Sequence, residues 1–240
     1  MRRLFLGVVF TLLSCAVVAA QVAAAPPLER LIDIDYSIRL PVHECTVPMA
    51  VAGLARRYQL KAGIEYLLVD CQRVMQAVRD IPGDGGRVNL RLLTIGEALR
   101  KLSELDPRYR WIEHEGMIVL RPLAAWTDPK NVLNYTAGSF SLEDVTLAGA
   151  LDAVRSSITG RPRDTSMFRD GSTEQGARKF SVNAGATSAG SALDAIVLAH
   201  GDAFWEVKLG TVRPNEMGPV IWLWSYDGFG MGMSAVAFPK

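Results

Sequence analysis

The residues whose types could do chemistry are two cysteines past the N-terminus, three histidines, two glycine-rich runs and a late group of aromatics. Cys45 and Cys71 form an even pair once Cys15 is set aside, and a bridge between them would stabilise the fold by roughly 3 kcal/mol in the chain-entropy model. Two buried free thiols, acting as small hydrophobes, satisfy the same sequence. His43, His114 and His200 show no HExxH spacing and no carboxylate at metal-ligand spacing, so they read as surface or capping residues and no metal is expected. The string from Gly185 to Gly190 lacks the spacing of a nucleophile elbow, and its Ser188 already suits a helix cap. Gly83-Asp84-Gly85-Gly86 and Gly228-x-Gly230-x-Gly232 read as turns or a bulge, because neither leads into a helix that could supply a phosphate-binding dipole. No catalytic residue, cofactor or enzymatic activity is assigned.

The aromatics are the stronger signal. Trp205, Trp222, Trp224, Tyr226 and Phe229 gather around the last strands. Alternation places Trp222 and Trp224 on one face, with Ile221 and Leu223 opposite. Such a strand is either covered on its two faces or shows an aromatic surface, formed by Trp222, Trp224, Tyr226 and Phe229, to a partner or a glycan.

Charge and composition narrow the classes. With 49% hydrophobic and 21% charged residues, the 240-residue chain carries enough apolar material for a real core. Its N-terminus reads as a secretory signal over residues 1–24: Arg2 and Arg3, a charge-free apolar run from Leu4 to Ala20, then small residues suited to cleavage. Loss of Arg2 and Arg3 takes the 26 basic residues to 24 against 25 acidic ones, a balance that argues against a nucleic-acid binder. The alternatives are retention of the run as an inner-membrane anchor, or lipidation at Cys15 in Leu12-Leu13-Ser14-Cys15.

The elements that would position these residues come from an internal repeat. Thr94-Ile95-Gly96-Glu97-Ala98-Leu99 aligns with Thr146-Leu147-Ala148-Gly149-Ala150-Leu151 and with Ser188-Ala189-Gly190-Ser191-Ala192-Leu193; a looser copy begins at Thr46. Each copy opens on a capping hydroxyl and continues with apolar residues at helical spacing. Alternating stretches precede the helices at Ile38–Leu40, Val88–Leu92, Phe140–Leu142 and Phe180–Val182. Strands follow, led by Trp111 and Trp205, each twelve residues beyond its leucine, with Gly63-Ile64-Glu65 in the corresponding place of the first copy. After the third helix the polar residues 159–178 read as a loop without a strand. The expected fold is α+β: two small modules, residues 28–122 and 131–240, each packing two helices on short sheets, joined by a Pro-containing linker at 123–130.

Val88-Asn89-Leu90, the helix motif from Thr94 to Leu102, Tyr109-Arg110-Trp111 and Gly116-Met117-Ile118-Val119-Leu120 together resemble the secretin and TonB short N-terminal domain. The clear match covers residues 88–121, with a looser one at 180–207. The resemblance implies a periplasmic module of two helices between small sheets that contacts other proteins of a secretion, pilus or TonB-type transport or signalling system. The chain shows no secretin or outer-membrane barrel pattern, so it would act as a free-standing relative. The expectation is a non-enzymatic interaction module with an envelope protein as partner; the alternative is binding of a small ligand or cell-wall glycan on the Trp-rich sheet.

Overall fold

The computed structural model describes residues 26–79, 86–158, 167–170, 178–213, 216–226 and 230–234. The proposed signal over residues 1–24, with Cys15, lies outside them. The first half runs β1 (Ser37–Arg39), α1 (Thr46–Tyr58), β2 (Ala62–Glu65), α2 (Cys71–Arg79), β3 (Arg87–Asn89), α3 (Ile95–Leu105), β4 (Tyr109–His114) and β5 (Met117–Pro122). The second runs β6 (Thr136–Ala137), β7 (Phe140–Val145), α4 (Leu147–Ser157), β8 (Met167–Asp170), β9 (Phe180–Ala184), β10 (Thr187–Ser188), α5 (Ala189–His200), β11 (Ala203–Arg213), β12 (Glu216–Ser225) and β13 (Gly230–Ser234). The fold is α+β. Among the described residues no helix is long and apolar enough to cross a membrane.

Three of the four repeat motifs start helices through their hydroxyls. Thr94 Oγ1 accepts from the Glu97 N–H at 3.2 Å while Glu97 Oε2 accepts from the Thr94 N–H at 2.7 Å, a complete capping box at α3. Thr146 and Ser188 accept from the N–H groups of Gly149 and Ser191 at 3.4 and 3.1 Å. Each such cap contributes about 1 kcal/mol. At α1 the pattern fails: Thr46 is already helical, its Oγ1 accepts from the His43 N–H, and the cap position is Cys45, which is bonded to Cys71. The first half also carries a helix beyond the two expected, α2, whose opening N–H groups at Gln72 and Arg73 donate to Asp70 Oδ1, each at 3.1 Å.

The two halves share one seven-stranded sheet, in the order β4-β5-β2-β11-β12-β13-β8. β2 pairs in parallel with β5 on one side and with β11 on the other, so the halves meet edge to edge. Period-two alternation then sorts the side chains into two cores. Ile118 and Leu120 of β5, Ile64 of β2 and Phe204 of β11 pack under α1 and α3. Met117 and Val119 of β5, Trp205 of β11, and Ile221 and Leu223 of β12 pack on the other face under α4 and α5. A two-stranded antiparallel ladder closes each half, β1 with β3 and β7 with β9, turning Ile38 and Val182 into the respective cores.

Two stretches read as irregular carry structure. Residues 167–170, inside the expected polar loop, form β8 at the end of the sheet, so the third copy also places a strand after its helix. A strand of four residues with Arg169 and Asp170 in it gives no apolar alternation to find. In the linker, Leu123–Trp126 form a 3₁₀ turn. Behind it the buried Arg121 pairs with Glu65 at 2.6 Å and donates to the carbonyl of Ala125 at 2.9 Å, while Asn131 Nδ2 also donates to Glu65. This pins the linker to β2 and β5; removing one partner of such a buried pair typically costs 3–5 kcal/mol, roughly, because a charge is stranded.

At the join the indole of Trp205 lies against Gly63, where an added Cβ would sit 2.2 Å from the ring. Gly63→Ala is expected to destabilise the protein by about 1–3 kcal/mol through overpacking, read as a lower midpoint in urea with an unchanged slope. Unchanged stability would mean that the ring moves aside freely.

Candidate aromatic and cationic site

β12 presents Trp222 and Trp224 on the face opposite Ile221 and Leu223, as alternation predicts. The latter two are 0% exposed, whereas the tryptophans are half-buried and stack with ring centres 5.3 Å apart and planes at 18°. Across the ladder Glu206 of β11 faces Trp222 and Phe204 faces Trp224. Two cations lie over these rings. Lys208 Nζ sits 5.8 and 5.7 Å from the centres of Trp222 and Trp224; the Arg56 guanidinium of α1 lies 5.2 Å from Phe204 and 5.7 Å from Trp224.

Beneath the cations is a carboxylate. Glu206, 1% exposed, accepts from the Tyr66 hydroxyl at 3.0 Å and from Arg56 at 3.2 Å, with Lys208 Nζ at 3.5 Å. Burial, and secondarily the Glu206 charge, hold the Tyr66 hydroxyl well above the ordinary phenol range, so it stays a donor. The outer sides of Arg56 and Lys208 reach solvent. A cleft of about 540 Å³ opens here, lined by Arg56, Tyr66, Glu206 and Lys208 with Met49, Asp70 and Cys71 at its lip. The Cys45–Cys71 disulfide, Cα atoms 5.7 Å apart, fixes the start of α2 at that lip.

Of the residues singled out in the sequence, Trp222 and Trp224 come together. Tyr226 lies on the same face but is engaged in packing: its ring stacks on Phe204 and its hydroxyl donates to the Leu60 carbonyl. Phe229 lies outside the described residues, as do Gly228 and residues 83–85. Arg56, Tyr66, Glu206 and Lys208 were not foreseen; the alternation Trp205-Glu206-Val207-Lys208 was the available signal, since it sets two charges on one face of an otherwise apolar strand. The histidines do not converge. His114 is exposed on β4, and His200 is buried against the edge of Phe180 at 5.1 Å. Among the described residues no group of three or more His, Cys, Asp or Glu could hold a metal ion.

A second cleft, of about 380 Å³, lies on the other face between β4, β9 and α5 and is lined by His114, Asn183, Ser191 and Asp194. Asp194 Oδ1 accepts from Trp205 Nε1 at 2.8 Å, which ties the ring at the join to α5.

Comparison with family models, curated proteins and solved structures gives no match.

Burial pushes the Asp194 carboxyl up to about 6, partly offset by the Trp205 hydrogen bond. A folded value above the ordinary 3.8 means that the native state binds more protons than the unfolded chain between these values, so stability falls as pH rises through that window. Asp194→Asn keeps the acceptor for Trp205 and removes the ionisation. Relative to the parent, the variant should gain roughly 3 kcal/mol between about pH 4 and about pH 7 in denaturant titrations. A difference independent of pH would contradict the assignment.

Proposed function

We propose that the protein is an exported, non-enzymatic interaction module of the periplasm. It serves as an accessory to an envelope secretion, pilus or TonB-type transport or signalling system, and engages its partner through the Trp222–Trp224 shelf. The observation that carries this reading is the stacked pair of half-buried indoles flanked by Arg56 and Lys208. Trp and Arg are among the side chains that dominate binding energy at protein interfaces, and rigid indoles bury large area at little entropic cost. The arrangement of each half, with helices between a two-stranded ladder and the larger sheet, supports the resemblance drawn from the sequence motifs. The charged start and apolar run of residues 1–24, which read as a secretory signal, support the location.

A second reading is favoured by the cleft beside the shelf. Its 540 Å³ would admit a small ligand, and an indole face suits the apolar face of a sugar ring.

Affinity capture from cross-linked envelope fractions tests the first reading, with Trp222→Ala/Trp224→Ala as comparison. The parent should recover one defined envelope component, and a variant that still melts cooperatively should recover at least tenfold less, about 1.4 kcal/mol or more of lost affinity. If nothing is enriched and cell-wall fragments change the parent's tryptophan fluorescence, the glycan reading replaces it.

A further inference from the structure

We infer that the outer edge of β4 is a docking site for a second copy of this chain, which adds the edge of its β8 in parallel and builds an open head-to-tail assembly. The inference rests on the interaction reading above but uses a different surface.

The internal repeat supplies the argument, because the molecule already contains the proposed contact once. β4 and β11 are counterparts: Trp111 and Trp205 occupy the same place after their helices, and each pairs with a leucine of the following strand, Leu120 or Leu223. β11 receives β2 of the other half along its free edge. β4 ends the sheet, with no strand beyond it among the described residues.

The backbone directions match. The Tyr66 N–H donates to the Val207 carbonyl, so Val207, and by alternation Trp205, direct their backbone groups at β2. On β5 the Ile118 N–H donates to the Lys61 carbonyl, so Ile118 points at β2 and its cross-strand partner Glu113 points away from β5. Glu113 and Trp111 thus aim their N–H and C=O groups outward, as Val207 and Trp205 do. The side chains report the same difference. Trp205, covered by Gly63, is 1% exposed, whereas Trp111, with no described strand beyond it, is only partly buried.

The other end of the sheet offers the complement. β8 follows α4 as β2 follows α1, and among the described residues it forms the opposite edge. Following the pairings across the sheet, β4 and β8 run in the same direction. A copy displaced across the sheet therefore sets β4 beside β8 in parallel, the relation of β2 to β11. Within the molecule the two halves have opposite strand directions and carry their helices on opposite faces, so a half-turn plus a shift relates them. Two such operations make a shift along the sheet, turned only by the sheet's own twist about the same axis, which is what head-to-tail addition needs and which never closes. The second half departs from the first by the intercalated β13, which lengthens the unit to seven strands. At about 4.8 Å per strand, copies would repeat every ~34 Å. Alternation from Ile221 through Met233 makes Met167 and Arg169 the residues whose backbone groups face outward on β8.

Sedimentation velocity over a wide concentration range, on protein purified after expression of the full chain, tests this. The parent should form progressively larger species. Glu113→Pro removes an outward N–H from β4 without touching the β4–β5 ladder, and Arg169→Pro does the same on β8; each variant alone should stay monomeric. Mixed in equal amounts they retain one working edge of each kind and should stop at a dimer. A photo-crosslinker in place of Glu113, which leaves the fold intact, should couple to residues 167–170 of another copy. A parent monomeric at every concentration, single variants that associate like the parent, or cross-links confined to β4 of the other copy would overturn the proposal. A chain that recovers its partner through the tryptophan shelf yet stays monomeric would sink this proposal and leave the functional one standing.

Discussion

Trp205 is where the architecture is tied together. Its ring lies on Gly63 of β2, its indole N–H is held by Asp194 of α5, and its backbone joins the parallel pairing of β2 with β11. Without that contact the two halves would present two short, open sheets, each with one helix-covered face and one bare face. With it, β5 and β11 can feed alternate side chains into two cores at once, so the helices of one half balance those of the other across the same strands. A glycine at position 63 is required because any side chain there would occupy the space of the indole.

The charged groups inside the fold follow from the same constraint. Glu65 and Glu206 occupy β2 and β11 themselves, where the join leaves them 3% and 1% exposed. Each is matched by cations from beyond its own strand or from its flank: Glu65 by Arg121 of β5 with Asn131 just past the linker, Glu206 by Arg56 of α1, Lys208 and the Tyr66 hydroxyl. A buried charge contributes little net stability but is costly to strand, so these networks fix which surfaces may meet more than how strongly they hold. The aromatic shelf is a by-product of this arrangement. The cations that neutralise Glu206 are carried over the faces of Trp222 and Trp224.

Much of this was legible in the sequence wherever a rule of short range governs it. The hydroxyl caps of α3, α4 and α5 were set by residues three apart, and the faces of Trp222 and Trp224 by simple alternation. The Cys45–Cys71 pair was open between bridge and free thiols, and the structure forms the bridge. What stayed hidden depends on partners distant in sequence. α2 lacks the repeat motif and starts from the disulfide and Asp70; β8 is a strand because β13 pairs with it. Arg56 and Glu206 lie 150 residues apart, so no spacing could bring them together before the sheet order was known.

The central claim is that one shared sheet makes the two halves a single cooperative unit, with the β2–β11 pairing at its middle. Native-state hydrogen exchange at the Tyr66 amide, which donates to the Val207 carbonyl, tests it most directly. The account predicts that this amide exchanges only by global unfolding, with the same free energy and denaturant dependence as core amides in α3 and α5. Exchange through a cheaper opening, with α3 and α5 protected to different extents, would mean that the halves are separate units merely touching, and would contradict it.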